Sequence, residues 1–212
     1  AIEFFKKTGV DALAISYGTM HGASKGKDVK LRKEIPIAIK ECMNHEGIQG
    51  VLVSHGSSTV PQYIVSEINA LGGNIQNAYG ISKEELKAAI PCGIGKINVD
   101  TDIRLAVTRN FRELFRDHPE LKDDPKAGGI WKLLDEKRDA FDPRAFLAPI
   151  MDTVMYGTGD EGAVALITDA MRRGVKEAVG TLIVEFGSYG KAPLVEMASL
   201  EDMAERYAKE GV

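Results

Sequence analysis

One pattern occurs twice in this chain and limits its fold more than any other feature. Ala12-Leu-Ala-Ile-Ser-Tyr-Gly18 runs into Thr19-Met-His21-Gly22, and Gly50-Val-Leu-Val-Ser54 runs into His55-Gly56-Ser57-Ser58. A short apolar run bounded by glycine reads as a buried strand of the kind found in parallel sheets. Each His then stands at a strand's carboxyl end, where α/β folds place their chemistry. The glycine that follows removes a Cβ, so that backbone N–H groups can face a ligand. Two imidazoles in the same context can converge on one divalent ion. The alternative is two unrelated histidines that close their strands in ordinary loops.

The intervening segments alternate with these strands. Residues 1–7 read as the tail of a helix closed by Gly9. Residues 31–44 predict a helix whose start is limited by Pro36, and residues 59–71 a second with Pro61 in its first turn and Gly72-Gly73 after it. Ser82-Lys-Glu-Glu85 is a capping box that opens a helix running to about Pro91. Residues 93–102 give a third strand, with Ile94, Ile97 and Val99 as its apolar members and a polar end, Asn98-Val-Asp100-Thr-Asp102. A long helix is predicted over residues 103–118. This order implies crossover connections and a parallel sheet.

Beyond residue 118 the chain turns helical. The spacing gives a charged loop over 118–129, a short helix over 131–138, a helix from 145 and a glycine-rich interruption over 157–162. Helical spacing resumes over 163–176. Thr181-Leu-Ile-Val-Glu-Phe186 is ambiguous and suits a strand. A capped terminal helix covers 199–209, with Glu at the third position. Three parallel strands alone would leave raw edges. The chain is therefore a small open sheet or the C-terminal part of a (β/α)8 TIM barrel with extra C-terminal helices. The barrel reading also accounts for an opening in mid-helix and predicts residues ahead of Ala1. It divides the chain into the last β/α units, residues 1–118, and a helical extension, 119–212, that forms an oligomer.

Composition narrows the function. The chain has 212 residues, 44% hydrophobic, and a net charge of −4, which suits one sizeable core. No basic tract supports a nucleic-acid partner. No apolar run approaches the ~18 residues needed to span a bilayer. Cys42 and Cys92 lie far apart in no metal-ligand spacing and read as reduced thiols of a cytoplasmic protein.

Set side by side, the three strand ends offer two imidazoles that suit zinc. The hydroxyls of Ser57, Ser58 and Thr101, the glycine N–H groups and Lys25 suit a phosphate, although Lys25 also reads as a plain loop lysine. A divalent ion beside a phosphate pocket fits a phosphorylated ketone, with Asn98 in the same cluster for a substrate hydroxyl. No third His ends a strand, and His45 and His118 read as surface residues.

Gly18-Thr-Met-His-Gly22, Ser54-His-Gly-Ser-Ser58, Lys96-Ile-Asn-Val-Asp-Thr-Asp102 and Phe141-Asp-Pro-Arg144 occur in the order in which class II, metal-dependent fructose-bisphosphate aldolases carry such motifs. Each motif alone is weak; together they resemble that family over the C-terminal half to two-thirds of its chain, here as far as about Leu147. The resemblance implies a (β/α)8 barrel, usually oligomeric, that reversibly cleaves fructose 1,6-bisphosphate to dihydroxyacetone phosphate and glyceraldehyde 3-phosphate. It implies Zn2+ on His21 and His55, and a cradle for the ketone-phosphate end made by Gly22, Lys25, Gly56, Ser57, Ser58, Asp100 and Thr101. It also implies an enediolate contact from Asn98 and a monovalent cation, Na+ or K+, on backbone near Gly22 and Gly56. Arg144, reaching a neighbouring subunit's site, and Arg104 are its candidates for the second phosphate. A homodimer or homotetramer is expected. The family's Asp-His pair and the Glu of its mobile loop have no counterpart in these residues, and the 157–190 segment is longer and richer in glycine than the family's pattern. Three alternatives stand beside this reading: a tagatose-bisphosphate or other sugar-bisphosphate aldolase, a Schiff-base aldolase using Lys96, and a non-catalytic assembly partner.

Overall fold

A computed structural model describes residues 1–21, 25–152 and 162–210. Three strands, β1 (Ala12–Ala14), β2 (Val51–Ser54) and β3 (Ile94–Ile97), pair in the order β1-β2-β3, all parallel. The α/β reading with a parallel sheet holds. Register places Leu13 beside Leu52 and Leu52 beside Ile94. With Ile15 these side chains meet a helical layer, packing with Phe5 of α1 (Ile2–Thr8), Met43 of α2 (Glu34–His45) and Leu86 and Ala89 of α4 (Lys83–Ala89); α3 (Gln62–Ala70) lies between β2 and α4 in the chain. Strand residues alternate between faces, so Ala12, Ala14 and Val51 point the other way and stay exposed. Val53, on the same face, is buried, so among the described residues that face is covered only in part, whereas parallel sheets are ordinarily covered on both faces.

A second body of helices is built on α5 (Thr101–Asp117). Leu105 and Ala106 pack with Ile64 and Ile68 of α3, while Phe111, Leu114 and Phe115 pack with α6 (Ala127–Glu136), α7 (Arg144–Leu147) and α8 (Gly162–Glu185). The approach of α8 to α5 is close enough that a Cβ on Gly174 would lie 2.7 Å from the Val107 Cα. The fully buried Arg112 donates to the Leu134 carbonyl at 2.9 Å, capping the end of α6 with a cation. The last element, α9 (Leu200–Glu210), buries no residue.

Several predicted boundaries move, each for a tertiary reason. The helix expected from residue 31 begins at Glu34, because the Leu31 N–H donates to the Glu85 carboxylate and the Arg32 N–H to the Tyr17 carbonyl. The helix expected from residue 59 begins at Gln62 with Pro61 as its N-cap, because Thr59 and Val60 donate their N–H groups to Asp102. The third strand stops at Ile97, and α5 starts at Thr101 rather than 103. The charged stretch expected as a loop holds a 3-10 turn, Pro119–Asp123, with Leu121 buried, and runs into α6 at Ala127. The segment that suited a strand, Thr181 to Phe186, continues α8 to Glu185; the Thr181 hydroxyl bonds back to the Glu177 carbonyl, as helical Thr does. The terminal cap at Ser199 is reciprocated by Asp202, not by a Glu. Most of the 157–162 interruption lies outside the described residues.

Candidate active site

The two histidines come together, although only His55 directly follows its strand; β1 ends at Ala14, and His21 lies in the loop seven residues further on. The His21 and His55 ring centroids are 4.5 Å apart with planes tilted by 56°. A tetrahedral ion holding two imidazole nitrogens at ~2.1 Å puts the ring centres roughly 5 Å apart, close to the separation seen here. Among the described residues, no group of three His, Cys, Asp or Glu side chains could hold a metal.

Gly56 makes the approach possible in a way the sequence did not disclose. Its φ is +67°, and a Cβ there would stand 2.9 Å from the Met20 carbonyl oxygen and 3.0 Å from its carbon. The β2 loop thus presses directly on the backbone that leads into His21. The missing side chain serves loop-on-loop contact as well as ligand access.

Beside the imidazoles lies a cavity of about 280 Å³, lined by His21, Lys25, His55, Gly56, Ser58, Asn98, Val99, Asp100 and Thr101. Eight of these were predicted site residues, and they come from all three strand ends. Gly22 lies outside the described residues. Ser57 departs from expectation: it is fully buried, does not line the cavity, and its hydroxyl sits 2.6 Å from that of Ser54.

The groups in the cavity are already organised. The Ser58 hydroxyl accepts the Asp100 and Thr101 N–H groups at 3.2 and 3.0 Å, holding the first turn of α5 against the β2 loop. The buried Lys25 ammonium donates to the Gly56 carbonyl and, at 3.3 Å, to the Ser58 carbonyl. Burial lowers its pKa, and the charge of Asp102 partly offsets that. The Lys25 ammonium thus shares the Gly56 carbonyl, one of the backbone groups near which a monovalent cation was expected. Lys96, on β3, donates to the Asn98 side-chain oxygen. Arg104 and Arg144 stand outside the cavity, sharing the carboxylate of Asp142; Arg104 also pairs with Asp100 at 2.7 Å. His45 is exposed at the end of α2, and His118 pairs with Glu120, both away from the site.

Three residues that organise the site were missed in the sequence. Asp102, only 3% exposed, accepts the N–H groups of Thr59 and Val60 and, at 2.6 Å, the Thr59 hydroxyl. It thereby holds Val60 at a φ of +51°, unfavourable for a β-branched residue. Tyr17, 1% exposed, hydrogen-bonds through its hydroxyl to Ser54, itself fully buried. Burial raises the Tyr17 pKa, a shift that the Ser54 hydrogen bond only partly opposes, so the phenol stays neutral. The available signal was a polar residue ending each apolar run.

Two imidazoles, a buried ammonium and hydroxyls gathered beyond the carboxyl ends of parallel strands lie where α/β proteins keep their ligand sites. The chain belongs to the class-II fructose-bisphosphate aldolase family, whose model matches residues 1–191. It is 34% identical over 208 residues to fructose-bisphosphate aldolase 2 of Cereibacter sphaeroides, an alignment covering 98% of this chain and 48% of that protein. It is 33% identical over 209 residues to the fructose-bisphosphate aldolase of Nostoc commune, covering 99% and 47% respectively. Against fructose-bisphosphate aldolase class 2 of Synechocystis sp. the identity is 34% over 209 residues, with coverage of 99% and 47%. The chain thus spans about half the length of the curated relatives it matches. Among the described residues, no helix is long and apolar enough to cross a membrane.

Proposed function

We propose that the whole protein is a zinc-dependent aldolase that reversibly cleaves fructose 1,6-bisphosphate to dihydroxyacetone phosphate and glyceraldehyde 3-phosphate. The observation that carries this reading is the 4.5 Å approach of the His21 and His55 rings at the edge of a cavity lined by Lys25, Ser58, Asn98 and Thr101. His21 and His55 hold the zinc ion, which when bound polarises the substrate ketone and stabilises the negative charge developing on its oxygen. Lys25, the backbone of Gly56, Ser58 and Asp100, and Thr101 cradle the phosphate of the ketone end. Ser57 acts from beneath, through Ser54. Asn98 offers its amide to a substrate hydroxyl. A monovalent cation on the backbone near Gly22 and Gly56 remains part of this reading, with the Lys25 ammonium sharing the Gly56 carbonyl. Arg144, exposed, is our candidate for the second phosphate in a neighbouring copy's site, and Arg104 for the same phosphate nearer home.

The same reading makes the sheet a section of a (β/α)8 barrel, with residues 1–118 as its β/α units and 119–212 as a helical, oligomer-forming extension. The exposed face carrying Ala12, Ala14 and Val51 supports it, because a barrel interior would cover those side chains.

The test uses the full-length protein. Cleavage of fructose and tagatose 1,6-bisphosphates is compared with and without a zinc chelator, and zinc content is measured for wild type and His55→Ala. The expected result is chelator-sensitive cleavage that favours the fructose epimer, and a folded H55A without stoichiometric zinc. Wild-type zinc content in H55A refutes the metal assignment, and equal or better cleavage of the tagatose epimer refutes the substrate.

A further inference from the structure

The side chains that face the cavity leave unexplained what keeps two imidazoles from different strands at one separation. Both histidines are exposed, so each ring goes where its backbone goes. The loops that carry them need a tie between strands, placed close to the rings yet out of solvent.

Such a tie lies directly beneath the cavity. The Tyr17 hydroxyl bonds to the Ser54 hydroxyl, and that in turn lies 2.6 Å from the Ser57 hydroxyl. All three residues are 1% exposed or less. Tyr17 stands four residues before His21; Ser54 immediately precedes His55 and Ser57 follows two residues after it. The backbone extends the tie to the third strand end, where Asn98 N–H donates to the Ser54 carbonyl at 2.9 Å and Ser57 N–H to the Asn98 carbonyl at 3.1 Å. On its other side the Tyr17 carbonyl accepts the Arg32 N–H at 2.8 Å, fixing where the tyrosine sits. The same three strand ends that supply His21, His55 and Asn98 are therefore bound to one another by a buried hydrogen-bonded chain.

A phenylalanine would fill the same apolar slot between the sheet and its helices. The hydroxyl is thus not needed for packing, and a buried hydroxyl adds stability only if it is hydrogen-bonded. Its position between the two histidine-bearing loops gives it another role. We propose that Tyr17 is a positioning residue which, through Ser54 and Ser57, fixes the separation of the His21 and His55 rings and so sets the affinity of the site for its divalent ion.

This proposal rests on the reading that His21 and His55 are metal ligands, and the test separates the two. Zinc affinity is measured by competition with a chromophoric chelator in full-length wild type, Tyr17→Phe, Ser54→Ala, the double variant, His55→Ala and Ile94→Val. Ile94 lies in the same apolar core but takes no part in the chain of hydroxyls. Y17F is expected to bind zinc roughly tenfold more weakly with its far-ultraviolet spectrum unchanged, as supporting groups around metal ligands typically do. S54A, which removes the links to both Tyr17 and Ser57, should show at least as large a loss, and the double variant no more than S54A alone, because Y17F removes a connection that S54A already breaks. I94V should bind zinc as wild type does. Wild-type zinc affinity in Y17F, alongside lost binding in H55A, overturns the positioning role and leaves the ligands standing. Zinc retained by H55A removes the ligand assignment and the proposal with it. Equal loss in I94V and Y17F shows affinity following general stability, and also overturns it.

Discussion

Gly56→Ala asks whether two loops are held together by an absent side chain. Two separate costs are expected. The first is conformational: at a φ of +67° an L-residue gives up about 1–2 kcal/mol relative to glycine. The second is steric, because the new methyl would sit 2.9 Å from the Met20 carbonyl oxygen and 3.0 Å from its carbon. Those are backbone atoms and cannot rotate away. Crowding of this kind in a packed region costs about 1–3 kcal/mol. Relief to ordinary contact distance needs the loops to part by about half an ångström. Gly47 supplies the control: its φ is +66°, and a Cβ there would meet nothing within 4 Å. Gly47→Ala should therefore carry the conformational cost alone. Denaturant unfolding of both variants isolates the steric part as their difference, about 1–3 kcal/mol, or several degrees in Tm for a protein of this size. Chelator competition should show weaker zinc retention in G56A and wild-type retention in G47A. Equal destabilisation of the two variants, with zinc affinity unchanged in both, would refute the argument that Gly56 brings the imidazoles together.

Gly174→Ala places a better helix former in mid-helix, worth up to about 1 kcal/mol by propensity. Its Cβ would lie 2.7 Å from the Val107 Cα, so a net loss of about 1–3 kcal/mol in urea unfolding is expected, and a gain would contradict the packing. Lys25→Met should weaken inorganic phosphate binding at least tenfold by titration calorimetry; because burial lowers the lysine's pKa, wild-type affinity should also fall with rising pH sooner than an ordinary lysine predicts. Glu85, hydrogen-bonded by Lys33 and then by the Leu31 N–H, titrates at about 2 in place of 4.5. Its contribution is complete above pH 4.5 and disappears as pH falls through about 2. Glu85→Gln should therefore cost about 1–2 kcal/mol near neutrality, with the gap to wild type closing across that window; a gap undiminished below pH 2 would contradict the pairing.

The strand ends were legible because their signal is local: four apolar residues and a His-Gly need no distant partner to be recognised. The helix starts were not, because Leu31, Arg32, Thr59 and Val60 each give an N–H to a group dozens of residues away or in another element. Thr181 to Glu185 misled because its β-branched residues favour strands, whereas the buried Ala178 and Gly174 of the same helix, packed on other elements, settle its state. At the site, Lys25, Asn98 and Thr101 could be read from residue type. Ser57 could not, since a serine beside a glycine looks the same whether it faces a ligand or a buried tyrosine. Asp102 was hidden for the same reason: its partner loop is forty residues upstream in sequence.

Helix α5 touches the candidate site at Thr101 and touches α8, backbone against backbone, at Val107. Those positions are about 9 Å apart along the axis at 1.5 Å per residue. A tilt of one degree about the seam therefore swings the ligand-facing end by roughly 0.15 Å, without any side chain at the site being touched. Treated as rigid, the helix would be a short lever with its fulcrum at the Gly174 contact, remote from the cavity. Changes in ligand affinity should thus arise from the α5–α8 seam, where a survey confined to the pocket wall would not look.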